Sequence, residues 1–143
     1  MVKLLLSTLG FEEVFPIRFI MRNSPSQGDI ILIVMPYVRD ERSARAYFEL
    51  SKFVSNYLQG IILDKVEVPV ANVHSSIAII ASRLSSLDVD YAVVNLSGGM
   101  RLLIIETLIA SRMVLNNHTL KFEVELEDKK EVVTFTSFLL DIK

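Results

Sequence analysis

Ser97, Gly98, Gly99, Met100 and Arg101 are the residues whose types and spacing best suit chemistry, and the chemistry is anion binding. A short apolar run, 91–96, precedes them, and a stretch of helical length and composition, 100–116, follows. The segment therefore reads as a buried strand, a glycine turn and a helix. Glycine reaches backbone angles closed to other residues and lets a ligand approach the main chain. The first N–H groups of a helix lack intrahelical acceptors and attract negative charge. Arg101 adds a planar, permanently charged fork suited to phosphate. A cation in the first turn opposes the helix dipole, so an anionic partner would relieve it. The plainer alternative is a turn and nothing more, because Gly-Gly commonly joins strand to helix. Neither G-x-x-x-x-G-K-[ST] nor G-x-G-x-x-G is present.

The elements that must carry this turn are legible from periodicity. Strands are predicted over 4–8, 30–35, 61–68 and 91–96. Helices are predicted over 12–22, 41–58, from the cap Asn72 to Leu87, and over 100–116. On the second helix, Tyr47, Leu50, Val54, Tyr57 and Leu58 form the expected inner face. The tail differs, because Phe122, Val124 and Leu126 alternate with Lys121, Glu123 and Glu125. That alternation predicts a half-exposed strand over 120–127, paired as a hairpin with 131–136. The order βαβαβαβα followed by ββ predicts an α/β, Rossmann-like fold: a mainly parallel sheet, helices on both faces and a C-terminal β-hairpin. Ligands of such sheets bind beyond the carboxyl ends of the strands.

The 143 residues fit one domain, 1–143. Hydrophobic residues make up 51% of the chain. Mean hydropathy is +0.43. No apolar run approaches the roughly 20 residues of a membrane span, so the excess is expected in a core and a subunit interface. There is no cysteine, which excludes disulfides and thiolate ligands. His74 and His118 are far apart and have no acidic neighbours at zinc-ligand spacing, so neither a metal nor a cofactor is expected. With no signal peptide at the start, a cytoplasmic location is expected. Net charge is −2, and Lys and Arg do not cluster with aromatics, which disfavours direct binding of long DNA or RNA. A receiver domain would need acidic residues where Ser7-Thr8 and Pro69-Val70 stand. A methyltransferase would need a glycine-rich loop where Gly10 stands alone.

Thr8-Leu9-Gly10-Phe11 after the first strand, with Leu96-Ser97-Gly98-Gly99-Met100-Arg101 after the fourth, resembles the CARF domain, the CRISPR-associated Rossmann fold. The likeness is to the N-terminal domain of archaeal CRISPR-associated winged-helix transcriptional regulators, and it spans nearly the whole chain. It implies a homodimer that binds a cyclic oligoadenylate, usually cyclic tetra-adenylate, across its two-fold axis. It places Thr8, Leu9, Gly10 and Phe11 beside the ligand, and Ser97, Gly98, Gly99, Met100 and Arg101 beneath its phosphates and ribose. The winged helix of those regulators has no counterpart within 1–143, so DNA contact is expected only through an effector outside these residues.

Some CARF proteins cleave the ring they bind, often with a Lys after the glycine pair. Met100-Arg101 stands there instead. Arg101 can stabilise charge but cannot act as a general acid near neutral pH. Thr8 and Arg101 are the candidate catalytic residues, and binding without efficient cleavage is favoured over a metal-independent ring nuclease. Two further loops share the expected edge. Tyr37 can stack on adenine and Arg39 can hold phosphate. Asn72 can read an adenine edge, although helix capping is the safer assignment. Arg42 and Arg45 read as a solvated helix face.

Overall fold

Apolar runs too short for helices lie side by side at the centre of the molecule, and the amphipathic stretches between them cover both sides. The computed structural model describes residues 1–37, 41–126 and 131–141. The elements in chain order are β1 (Lys3–Thr8), α1 (Val14–Asn23), β2 (Ile30–Pro36), α2 (Glu41–Tyr57) and β3 (Ile62–Val68). Then follow α3 (Val73–Ser85), β4 (Tyr91–Asn95), α4 (Arg101–Val114), β5 (Leu120–Leu126) and β6 (Glu131–Thr136). They form one six-stranded sheet in the order β3-β2-β1-β4-β5-β6. Pairing is parallel from β3 through β5, and β6 returns antiparallel to β5. This is the Rossmann-like arrangement with a terminal hairpin that the pattern predicted.

Successive strand residues point to opposite faces, and each face is apolar. Leu4, Leu6, Leu32, Val34 and Val94 pack with Ile80 and Leu84 of α3 and Leu103 and Ala110 of α4. Leu5, Ile31, Ile33 and Val93 pack with Phe19 and Ile20 of α1 and with Ala46, Leu50 and Val54 of α2. The order fixes a switch point: β1 leads across α1 to β2 on one side and has β4 on the other. The turns after β1 and β4 therefore face each other at the carboxyl edge.

Two sequence readings need correction. Tyr57 is 74% exposed and lies outside the core, because Ser43 and Ala46 complete the inner face of α2 instead. The polar side of β5 is not solvent-facing throughout. Glu123 is buried, and Arg18, Arg22 and Asn23 of α1 bind the Glu123 and Glu125 carboxylates. Arg18 grips Glu125 with two donors, Nε at 2.9 Å and Nη2. Those donors hold the Glu125 carboxyl below its ordinary range.

Glu106, on α4, is a different case. It is fully buried, and neither carboxyl oxygen has a hydrogen-bond partner. Burial pushes its pKa up, and the Ser76 hydroxyl donates to the Pro69 carbonyl at 2.7 Å instead. Below its ordinary value of 4.5 the group is neutral in folded and unfolded chains alike. As pH rises above that, the unfolded chain ionises first and stability falls until the folded group also ionises. Glu106→Gln is therefore expected to raise Tm by a few degrees at pH 7 to 8 and by little at pH 4. Thermal melts across pH check this; equal shifts at both pH values would contradict it.

Candidate functional site

Two glycine turns meet back to back at the switch point. A Cβ on Gly10 would lie 2.9 Å from both Cα and N of Gly99, so the backbones pass in direct contact. Gly98 and Gly99 have φ of +86° and +90°, the region that favours glycine. A Cβ on Gly98 would rest 3.4 Å from Cβ of Phe15, which underlies the turn from α1.

Buried polar groups hold the turn from beneath. The Thr8 hydroxyl donates to the Gly98 carbonyl at 2.7 Å. Asn95 donates through Nδ2 to Ser7 Oγ at 3.0 Å and to the Ser97 carbonyl at 3.3 Å, and its Oδ1 accepts the Ser97 N–H at 3.1 Å. Ser7 in turn donates to the Thr8 carbonyl at 2.8 Å. On the far side, Ser97 Oγ accepts the Glu125 N–H at 2.5 Å, and the Leu96 N–H donates to the Glu123 carbonyl at 2.8 Å. The turn is thus tied to β1, β4 and β5 together.

Helix α4 starts open. Its N-cap, Met100, is extended, and no side chain caps the helix. The Ile104 N–H donates to the Met100 carbonyl at 3.0 Å, which leaves the preceding N–H groups of the first turn without that kind of bond. By contrast, Asn72 caps α3 by accepting the Ser75 N–H at 3.3 Å. A cleft of about 480 Å³ opens over the turns, with Gly10, Phe11, Ser97, Gly98 and Gly99 among its walls. Glu12, Phe15, Val124 and Glu125 complete them with Leu96 and Ile104.

The structure separates the predicted residues into groups. Gly10, Phe11, Ser97, Gly98 and Gly99 converge on the cleft. Thr8 and Leu9 are fully buried beneath it. The Leu9 side chain belongs to the core, and its N–H donates to the Val34 carbonyl at 3.1 Å. Met100 and Arg101 are exposed at the start of α4, beside the cleft walls and not part of them. Tyr37 is 68% exposed at the end of β2. Asn72 stands off edge strand β3, two strands from β1. Arg39 lies outside the described residues. His74 is exposed on α3. Sequence reasoning missed Asn95, Glu125 and Phe15. Asn95 was the one readable signal, a lone amide in an apolar strand.

A family model described as the Csa3 CRISPR-associated Rossmann-like domain matches residues 3–136. No curated protein matches the chain. Among solved structures, the chain resembles a type III CRISPR defence DNA nuclease activated by cyclic oligoadenylate, at a TM-score of 0.54 and 13% identity. The likeness covers 85% of this chain and 17% of that one, and at this identity it speaks for the fold. No helix among the described residues is long and apolar enough to cross a membrane.

Proposed function

We propose, because the chain belongs to the Csa3 CRISPR-associated Rossmann-like domain family, that it senses a cyclic oligoadenylate in the CRISPR response. The observation that carries the reading is the contact of Gly10 with Gly99 at the switch point, under an uncapped helix start. That geometry offers main-chain N–H groups and an adjacent Arg101 to phosphate, without a bulky side chain in the way. The ligand is cyclic tetra-adenylate, and the active form is a homodimer. Ile105, Ile109 and Met113 support the dimer: they recur every fourth residue along α4 and stay 49%, 40% and 65% exposed. Ring binding then regulates an attached or separate effector, such as a DNA-binding winged helix.

Sensing is favoured over ring cleavage by the state of Thr8. Its side chain is fully buried and its hydroxyl is committed to the Gly98 carbonyl, so it serves the turn and not a ribose. The test mixes purified protein with cyclic tetra-adenylate, follows heat, and analyses the mixture by mass spectrometry after prolonged incubation. One intact ring bound per dimer is the expected result. Conversion to linear di-adenylate would make the chain a ring nuclease. No heat from a folded protein would sink the assignment.

A further inference from the structure

Phe11 is 45% exposed at the cleft wall. Two arginines of α2 converge on it. The Arg42 guanidinium carbon lies 3.8 Å from the ring centroid, a close cation–π stack. Arg45 Nη2 donates to the Phe11 carbonyl at 3.3 Å and reaches Glu13 Oε2 at 3.3 Å. Ring and backbone are thus braced from the same helix, one turn apart on α2. Gly10 fixes the position from the other side, because its backbone is pressed against Gly99.

What sets Phe11 apart from the chain's other exposed rings is the combination of a cleft-wall position, a cation stacked on the ring and a hydrogen bond to its own carbonyl, which together fix the ring's orientation at the cleft. We infer that Phe11, held by Arg42 and Arg45, is a base-stacking platform that gives the site its preference for a nucleobase-bearing anion over a bare one. This deepens the ring-sensing reading and rests on it. The first-turn N–H groups and Arg101 supply attraction for phosphate, which every polyphosphate shares. A flat, polarisable face beside them supplies what only a base can use. Arg42 on one face of the ring leaves stacking to the other and keeps the ring from turning. In this division of labour Arg42 and Arg45 are positioning residues, and Phe11 touches the ligand.

The experiment titrates wild type, Phe11→Leu and Phe11→Trp with cyclic tetra-adenylate, and with a ring in which one adenine is replaced by fluorescent 2-aminopurine. Inorganic tripolyphosphate serves as the base-free anion. Wild type is expected to bind the ring and quench the fluorophore. Phe11→Leu is expected to lose about tenfold in ring affinity together with the quench. Its tripolyphosphate affinity and Tm should stay near wild type, because the side chain is exposed. Phe11→Trp should recover both affinity and quench. Arg42→Gln should weaken the quench, and Arg42→Lys, which keeps a cation over the ring, should restore part of it. Wild-type ring affinity and quench in Phe11→Leu would overturn the inference and leave ring sensing standing. An equal loss for ring and tripolyphosphate would also overturn it, because the residue would then shape the turn. No ring binding by wild type would overturn the sensing reading and this inference with it.

Discussion

Gly10→Ala is expected to lower affinity for cyclic tetra-adenylate by on the order of a hundredfold and to cost about 1–3 kcal/mol of stability. The added Cβ would fall 2.9 Å from both Cα and N of Gly99. Both atoms are main chain, so no rotamer change relieves the clash, and one of the two turns must move. Neither moves cheaply. The second turn is held by the Thr8 hydroxyl on the Gly98 carbonyl and by Asn95 on both sides of Ser97. The first is held by the Leu9 N–H on the Val34 carbonyl and by the buried Leu9 side chain. Whichever yields, the N–H groups at the start of α4 lose their aim. Gly28→Ala is the control. Gly28 also has a positive φ, +92°, but nothing lies within 4 Å of the added carbon. It should cost about 1 kcal/mol through backbone strain alone and leave the ring affinity unchanged. Calorimetric titration and thermal melts of both variants decide the matter. Wild-type affinity in Gly10→Ala would mean that the contact between the turns does not shape the ligand site.

The pair of turns was readable because each ends an apolar strand at glycine. Thr8-Leu9-Gly10 and Ser97-Gly98-Gly99 stand out against Leu4-Leu5-Leu6 and Val93-Val94 for that reason. The mainly parallel sheet followed from strands alternating with helices, whereas the switch point between the turns after β1 and β4 rests on the strand order of the folded sheet. Periodicity also marked the core face of α3, where Ile80 and Leu84 are buried. Tyr57 failed because helical spacing marks a face without saying where the sheet beneath it ends.

The misreading of β5 has a different cause. Alternation of Phe122 and Val124 with Glu123 and Glu125 is the mark of a strand with one wet face. Here the second face is covered by α1, which lies about a hundred positions away in sequence: Arg18 and Glu125 are separated by 107 residues. Ion pairs at such separations leave no local pattern. The consequence reaches the site, because Glu125 also gives its N–H to Ser97 Oγ. The glycine turn therefore rests on a strand whose side chains are gripped by the helix that follows the other turn. What looked like a solvated edge is the bracket joining both halves of the cleft. Thr8 shows the same limit from the other side. Its position before Gly10 was plain, whereas the direction of its hydroxyl, into the protein and onto the Gly98 carbonyl, depends on the register of β1 with β4.

Arg101→Ala is expected to weaken cyclic tetra-adenylate binding by about 10- to 100-fold while leaving the fold intact. Arg101 is exposed in the first turn of α4, and its guanidinium forms no ion pair or hydrogen bond with any described residue. A guanidinium there meets the positive end of the helix dipole, an arrangement that costs about 0.3–1 kcal/mol in the absence of an anion. Removing it should therefore hold Tm level or raise it slightly, the opposite of what loss of a structural residue does. With ligand, the same charge is repaid by phosphate, and the two-donor fork adds direction that a lysine lacks. Arg101→Lys should accordingly recover only part of the affinity. Added salt should weaken wild-type binding more steeply than binding by Arg101→Ala, because one screened charge pair is gone. Titrations at two salt concentrations, with melts alongside, separate these contributions. If the protein proves to cut the ring, the same variant should bind with reduced affinity and also lose turnover of the fraction that is bound. Unchanged affinity and an unchanged salt response in Arg101→Ala would remove the residue from the ligand site and leave phosphate recognition to the main chain of the glycine turn.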